Sequence, residues 1–177
     1  MKVVITGHMN GFGLALSNKF VQKGYTISGY DLNNDKDVIK EDTVNELITD
    51  CIDADIFVNN AHANQSFLLT QVYKLWEGMD KTIINISSAI TYITPRNLPE
   101  SLNEYISDKK NLDTTVKLLR IKSELPHIMN IRPSWIETQL VSEFNTKKIN
   151  PDDIANLIVM LYNIRYAVKI LDIVLEK

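Results

Sequence analysis

The chain has 177 residues, 45% of them hydrophobic and 23% charged, with a formal net charge of −3 and a pI near 5.6. That length suits one domain over residues 1–177, able to bury roughly two-thirds of its unfolded surface, and the slightly acidic balance speaks against a nucleic-acid partner. A single cysteine, Cys51, excludes an internal disulfide, and the three scattered histidines His8, His62 and His127 offer no metal-ligand spacing.

The chain enters Val3-Val4-Ile5 without a signal-like apolar segment, and runs such as Leu157–Tyr162 are too short for a bilayer. A cytoplasmic protein without a membrane partner is expected, with Cys51 a small buried residue. Val3–Ile5 is a β-rich run that stops at Thr6-Gly7, and Leu14–Val21 reads as a helix. Tyr25–Tyr30 is a second strand, followed by the polar turn Asp31–Asp35. Val44, Leu47, Ile48 and Cys51 recur at helical spacing, predicting a helix over 42–52 capped by Asp42. Ile56–Val58 is an apolar triplet before Asn59-Asn60, Phe67–Trp76 looks helical, and Thr82–Ile86 is another strand. Beyond the loop Ile93–Pro99, Glu104–Ile121 suits a long helix, and His127–Ile131 makes a strand that ends before Arg132-Pro133. Pro151 starts a last helix through Tyr162, and Ala167–Leu175 closes the chain as a strand. Strands and helices alternate, and the strands are nearly all apolar. That pattern predicts an α/β fold: a single doubly wound, Rossmann-type domain with a mainly parallel sheet and helices on both faces.

The first strand runs into Gly7-x3-Gly11-x-Gly13 and then a helix. Glycines let the backbone turn sharply and approach a pyrophosphate, while free N–H groups and the positive dipole end of the helix face the anion. A tight structural turn is the plainer alternative. Asp31 ends the second strand, where a carboxylate accepts hydrogen bonds from the adenosine ribose of NAD and repels the extra phosphate of NADP. Asn10 is neutral, and Asp31 also reads as a simple turn residue beside Asn33 and Asn34.

The glycine spacing, preceded by Thr6, resembles the Thr-Gly-x3-Gly-x-Gly turn of the short-chain dehydrogenase/reductase family. The resemblance implies a nicotinamide dinucleotide, NAD before NADP, held by Gly7, Asn10, Gly11, Phe12, Gly13 and Asp31. "VNNAHA" (58–63) resembles the family's Asn-Asn-Ala-Gly segment and places Asn60 and Ala61 beside the cofactor; His62 stands where the family has glycine. "INISSAI" (84–90) resembles the strand that ends in the substrate-orienting serine, Ser88, with Ser87 as its neighbouring alternative. "EYISDKK" (104–110) supplies Tyr105-x3-Lys109, with Lys110 the competing lysine.

One turn apart on a helix, Tyr105 and Lys109 share a face. A nearby ammonium lowers the pKa of a phenol from its usual ~10 and makes it usable as acid or base. By resemblance, Lys109 also binds the nicotinamide ribose. "RPSWIET" (132–138) resembles the segment whose Pro133, Ile136 and Thr138 meet the nicotinamide end, with Ser134 in place of glycine.

The implied activity is NAD(H)-dependent interconversion of a carbonyl and an alcohol, with Ser88, Tyr105 and Lys109 catalytic and no metal. The partners expected are a small-molecule carbonyl or alcohol and a second copy of the chain, in a dimer or tetramer. The chain is shorter than the family's usual members. Its substrate lid and long interface helix are therefore cut down, and Asn64 is the candidate for the family's supporting asparagine. A non-catalytic NAD(P)-binding sensor or assembly protein on a reduced fold is the alternative. An epimerase or dehydratase would need a larger C-terminal region.

Overall fold

A strand that alternates Val3, Val4 and Ile5 has apolar side chains on both faces and must be covered on both. In the computed structural model, which describes residues 1–92, 100–138, 147–166 and 172–176, that strand lies inside a six-stranded, wholly parallel sheet. The elements run β1 (Lys2–Thr6), α1 (Gly11–Gln22), β2 (Thr26–Tyr30), α2 (Glu41–Cys51), β3 (Ile56–Asn59), α3 (Gln65–Trp76), β4 (Thr82–Ile86), α4 (Asn103–Lys122), β5 (His127–Pro133), α5 (Pro151–Asn163) and β6 (Asp172–Leu175). Their order across the sheet is β2-β1-β3-β4-β5-β6. The chain winds outward to β2, then crosses back to β3. A crevice therefore opens at the carboxyl ends of β1 and β3, the place where such sheets take ligands.

Period-two alternation divides the core. Val3, Ile5, Ile56, Val58, Ile84 and Met129 pack under α1 and α5, against Leu16, Phe20, Ile158 and Tyr162. Val4, Phe57, Ile83 and Ile128 face α2, α3 and α4, against Leu47, Leu68, Trp76 and Val116. Cys51 is buried in this second layer, and burial, helped by the Asp50 charge, pushes its thiol up to about 12. The edge strands β2 and β6 are partly exposed. Among the described residues, no helix is long and apolar enough to cross a membrane.

Helices α1 and α3 start earlier than the sequence predicts, at Gly11 and Gln65, and three further boundaries differ. Helix α2 starts at Glu41 with Lys40 as its cap, and Asp42 sits in the first turn; there its charge faces the helix dipole rather than closing the helix end. Strand β5 continues through Arg132 and Pro133, because β6 pairs with residues 130–133. Ser134 N–H makes the bond to the Leu175 carbonyl (2.8 Å), so the donor that proline lacks is not needed. The last strand is Asp172–Leu175; the expected residues 167–171, like the loop 93–99, lie outside the described residues.

One row of the sheet is polar although it is buried. Asn59, Asn85, Asn130 and Asp172 stand in register on four adjacent strands. Asn59 Nδ2 donates to Asn85 Oδ1 (2.9 Å), Asn85 Nδ2 to Asn130 Oδ1 (2.7 Å), and Asn130 Nδ2 to Asp113 Oδ1 on α4 (3.0 Å). A carboxylate only accepts, so Asp113 sets the direction of every amide before it. Arg132 closes the far end with Nε on Asp113 (2.9 Å) and a second bond to Asp172. Burial alone would raise the Asp113 carboxyl, but the bonds from Arg132 and Asn130 hold it below the usual carboxylate range.

Removing the middle rung should cost more than its size suggests. Asn85→Ala strands a buried acceptor and a buried donor, and its expected destabilisation is about 3 kcal/mol. Ile84→Val on the same strand should cost about 1 kcal/mol. Denaturant unfolding of both variants checks this, and a smaller loss for Asn85→Ala than for Ile84→Val would show that the ladder does not hold the sheet.

Candidate functional site

The crevice is bounded by the turn after β1. Gly7 adopts φ +68°, a left-handed conformation that side chains disfavour, and its N–H donates to the Tyr30 carbonyl (2.7 Å). A Cβ at Gly13 would collide with the Gly7 carbonyl, so the helix can approach the strand this closely only with glycine there. Thr6 Oγ1 accepts the N–H groups of Asn60 (3.0 Å) and Ala61 (2.9 Å), and Asn60 Nδ2 donates to the carbonyls of Thr6 (3.0 Å) and Gly7 (3.1 Å). Asn60 is thus a clamp that joins β3 to the turn.

Helix α1 begins without a side-chain cap. Asn10 precedes it with no cap hydrogen bond, and its first turn holds no acidic residue. Among the described residues no side chain caps the first N–H groups, at Gly11, Phe12 and Gly13, which suits them to an anion, while Phe12 is itself buried against the α1/α5 layer. Asp31 Oδ2 accepts the Met9 N–H (3.0 Å), and Oδ1 accepts the Asn33 N–H (3.0 Å). The turn reading of Asp31 is the one seen in the fold: it caps the short turn Leu32–Asn34, and it also ties the end of β2 to the glycine turn. The segment after β5 returns here, with Ile136 bridged to Ile149 and the Thr138 methyl close against Gly11. An uncapped helix start, a glycine with no space for a Cβ and a carboxylate at the rim together fit a dinucleotide.

The Asn60-Ala61 segment leads directly to the second cluster. His62, half exposed, lies with its ring 5.0 Å from that of Tyr105, and its Nε2 is 3.5 Å from Asp108. Burial, then the Lys109 charge, pushes the His62 pKa down. Ser88 stands near enough to Tyr105 to lower its pKa, and its Oγ accepts the Ile90 N–H (3.3 Å). Lys109 Nζ is 5.5 Å from the Tyr105 ring centre, whereas Lys110 is exposed. Ser88, Tyr105 and Lys109 therefore converge at the carboxyl end of β4.

Compared by sequence, the chain matches no family model and no curated protein. Solved structures match it over almost their whole length. A 4-hydroxyisoleucine dehydrogenase complexed with NADH superposes with a TM-score of 0.80 at 20% identity, covering 99% of this chain and 97% of that one. A 3-ketoacyl-(acyl-carrier-protein) reductase from Brucella melitensis complexed with NADH gives 0.77 at 20% identity over 98% and 96%. An alcohol dehydrogenase from the archaeon Thermococcus sibiricus complexed with 5-hydroxy-NADP gives 0.77 at 17% identity over 98% and 95%. Further matches are described as short-chain dehydrogenases. The fold is that of the short-chain dehydrogenases/reductases.

Within this short-chain dehydrogenase/reductase fold, two expectations need correction. The ammonium does not draw the phenol down: burial raises the Tyr105 pKa, and only Ser88 offsets part of that rise. Lys109 is itself the strongly shifted group. It is 4% exposed, and burial drives its pKa from 10.5 to about 7, against the opposing charges of Asp113 and Asp108. Nor does Asn64 support the lysine, since its Nδ2 donates to the Val38 carbonyl (3.0 Å). The next residue, Gln65, does so instead, accepting from Lys109 Nζ at 2.6 Å, while the Ile86 carbonyl accepts at 2.9 Å. Gln65 and the asparagine ladder were missed by the sequence reading. The available signal was "VNN", "INI" and "MNI": an asparagine breaking three apolar strands near the same end.

A lysine that binds its proton less tightly when folded makes stability depend on pH. Between about pH 7 and 10.5 the unfolded chain holds the proton that the folded chain has released, so stability rises with pH across that window. The penalty is fully present below pH 7. Wild type should gain on Lys109→Met in unfolding free energy from pH 7 to about 9.5. Parallel curves would show that Lys109 is charged throughout.

Proposed function

We propose that the chain is an NAD(H)-dependent oxidoreductase that interconverts a small-molecule carbonyl and its alcohol. The observation that carries this reading is the convergence of Ser88, Tyr105 and Lys109 beside a crevice whose rim has a helix start that no side chain caps among the described residues. Bound nicotinamide supplies or accepts the hydride. The chain's residues do the rest: the first N–H groups of α1 bind pyrophosphate, and the segment carrying Pro133, Ile136 and Thr138 borders the nicotinamide end. Ser88 orients the substrate oxygen. A phenol raised by burial is protonated at neutral pH, and that is the acid form that carbonyl reduction needs. Lys109, close to Tyr105, binds the ribose.

Asp31 favours NAD, since a carboxylate beside the adenosine ribose repels a 2′-phosphate. The exposed apolar side chains Leu118 and Ile121 on α4 support self-association through the helix that carries Tyr105.

A second reading has one observation in its favour. The Lys109 ammonium is already engaged by Gln65 and Ile86, which suits a protein that binds the nucleotide without turning over a substrate, as a redox sensor does.

Tyr105→Phe should lower turnover by about 10²- to 10⁴-fold while the dissociation constant for NADH stays within about twofold of wild type. Unchanged turnover removes Tyr105 from the mechanism, and NADH binding without turnover of any carbonyl or alcohol by the wild type selects the sensor. Fluorescence titration should give NADH at least about tenfold tighter binding than NADPH, with the gap narrowed in Asp31→Ser. Tighter NADPH binding overturns the cofactor assignment.

A further inference from the structure

Gln65 is the first residue of α3 and is 5% exposed. Its amide nitrogen donates to two main-chain carbonyls, Asn59 (2.9 Å) and Ile86 (3.1 Å), and Asn59 Nδ2 returns a bond to the Gln65 carbonyl (3.0 Å). With both N–H groups spent on carbonyls, only Oε1 can face Lys109, and it does so at 2.6 Å. A flipped amide would set NH₂ against the ammonium and oxygen against two oxygens.

We propose that Gln65 is the positioning residue of Lys109: a neutral acceptor, aimed by the backbone, that holds the amine at the inner end of the site without fixing its charge.

The chemistry of the surroundings explains why neutrality matters. A carboxylate at position 65 would pair with the ammonium and keep it charged. An amide satisfies one N–H and leaves the proton free to go, in keeping with the low pKa of Lys109. The charged and titratable groups around the amine lie mostly on its own helix: Tyr105, Asp108 and Asp113 on α4. His62 faces it from the loop before α3, and Arg132 on β5 stands behind Asp113, bonded to it. Strand β4 contributes the Ile86 carbonyl, and the buried row beside it is amide: Asn59, Asn85 and Asn130.

The inference rests on reading Lys109 as the partner of a proton-exchanging Tyr105, but its test needs no nucleotide. In the nucleotide-free protein, the side-chain amide resonance of Gln65 should move with pH in one step whose midpoint matches that of the Lys109 Nζ signal. The step should vanish in Lys109→Met. Gln65→Met keeps the length and removes the acceptor; it should lower the Lys109 midpoint by about one pH unit or more. Gln65→Glu should raise the midpoint by a similar amount, and if that variant does not fold, the wild-type resonance and Gln65→Met decide. A Gln65 signal indifferent to pH or unchanged by Lys109→Met, or a Lys109 midpoint unmoved in Gln65→Met, overturns the proposal. None of these outcomes depends on turnover, so they stand or fall separately from the activity of Tyr105.

Discussion

Placing a lysine head group inside a parallel α/β sheet costs several kcal/mol unless its donors are matched. Here the matching reaches beyond the immediate neighbours of Lys109. The oxygen of Gln65 can face the amine because the Gln65 nitrogen is bound to the Asn59 and Ile86 carbonyls, and Asn59 is in turn the first rung of a row that crosses the sheet to Asp113. Asp113 lies one turn beyond Lys109 on the same helix. The row leaves α3 at Gln65 and returns to α4 at Asp113, so both helices that frame the amine are fixed to the strands behind it. Such a network is stabilising only when nearly every member is satisfied, and that requirement holds α4, with Tyr105 and Lys109, at one height against β4.

The other half of the site is held by different means. The glycine turn is not part of the amide row. It is held by Asn60 and Thr6, which exchange bonds between the ends of β1 and β3, and by Asp31 at the end of β2. Asn59 and Asn60 are adjacent, and their side chains serve the two halves separately: one joins the sheet to the Lys109 seat, the other closes the crevice. The tripeptide Asn59-Asn60-Ala61 is therefore where the two halves are joined, and His62 continues it onto the Tyr105 ring.

Much of this was legible from the sequence. The alternation of apolar runs and helical periods gave the parallel sheet, because a strand covered on both faces has few polar positions. The order glycine turn, Asp31, Asn59-Asn60-Ala61, Ser88, Tyr105 and Lys109 located the residues that come together. What stayed hidden depends on tertiary placement. The depth of Lys109 follows from α4 packing against α3 and β5, and no local pattern separates a buried lysine from a solvated one. The choice of Gln65 over Asn64 turns on a left-handed residue, Asn64 at φ +59°, which points its side chain to Val38 and leaves the inward position to its neighbour. At the start of α2 a good capping residue, Asp42, lies within the first turn, two residues past the cap Lys40.

The amide row and the crevice form two parts of one site, and a crystal structure with NADH and an unreactive alcohol bound tests this most directly. Pyrophosphate should lie against the first N–H groups of α1, and the alcohol oxygen within about 3 Å of both the Ser88 and Tyr105 hydroxyls. The Lys109 amine should still be held from behind by Gln65. A nucleotide bound away from the glycine turn, or an alcohol oxygen that neither hydroxyl reaches, would contradict it.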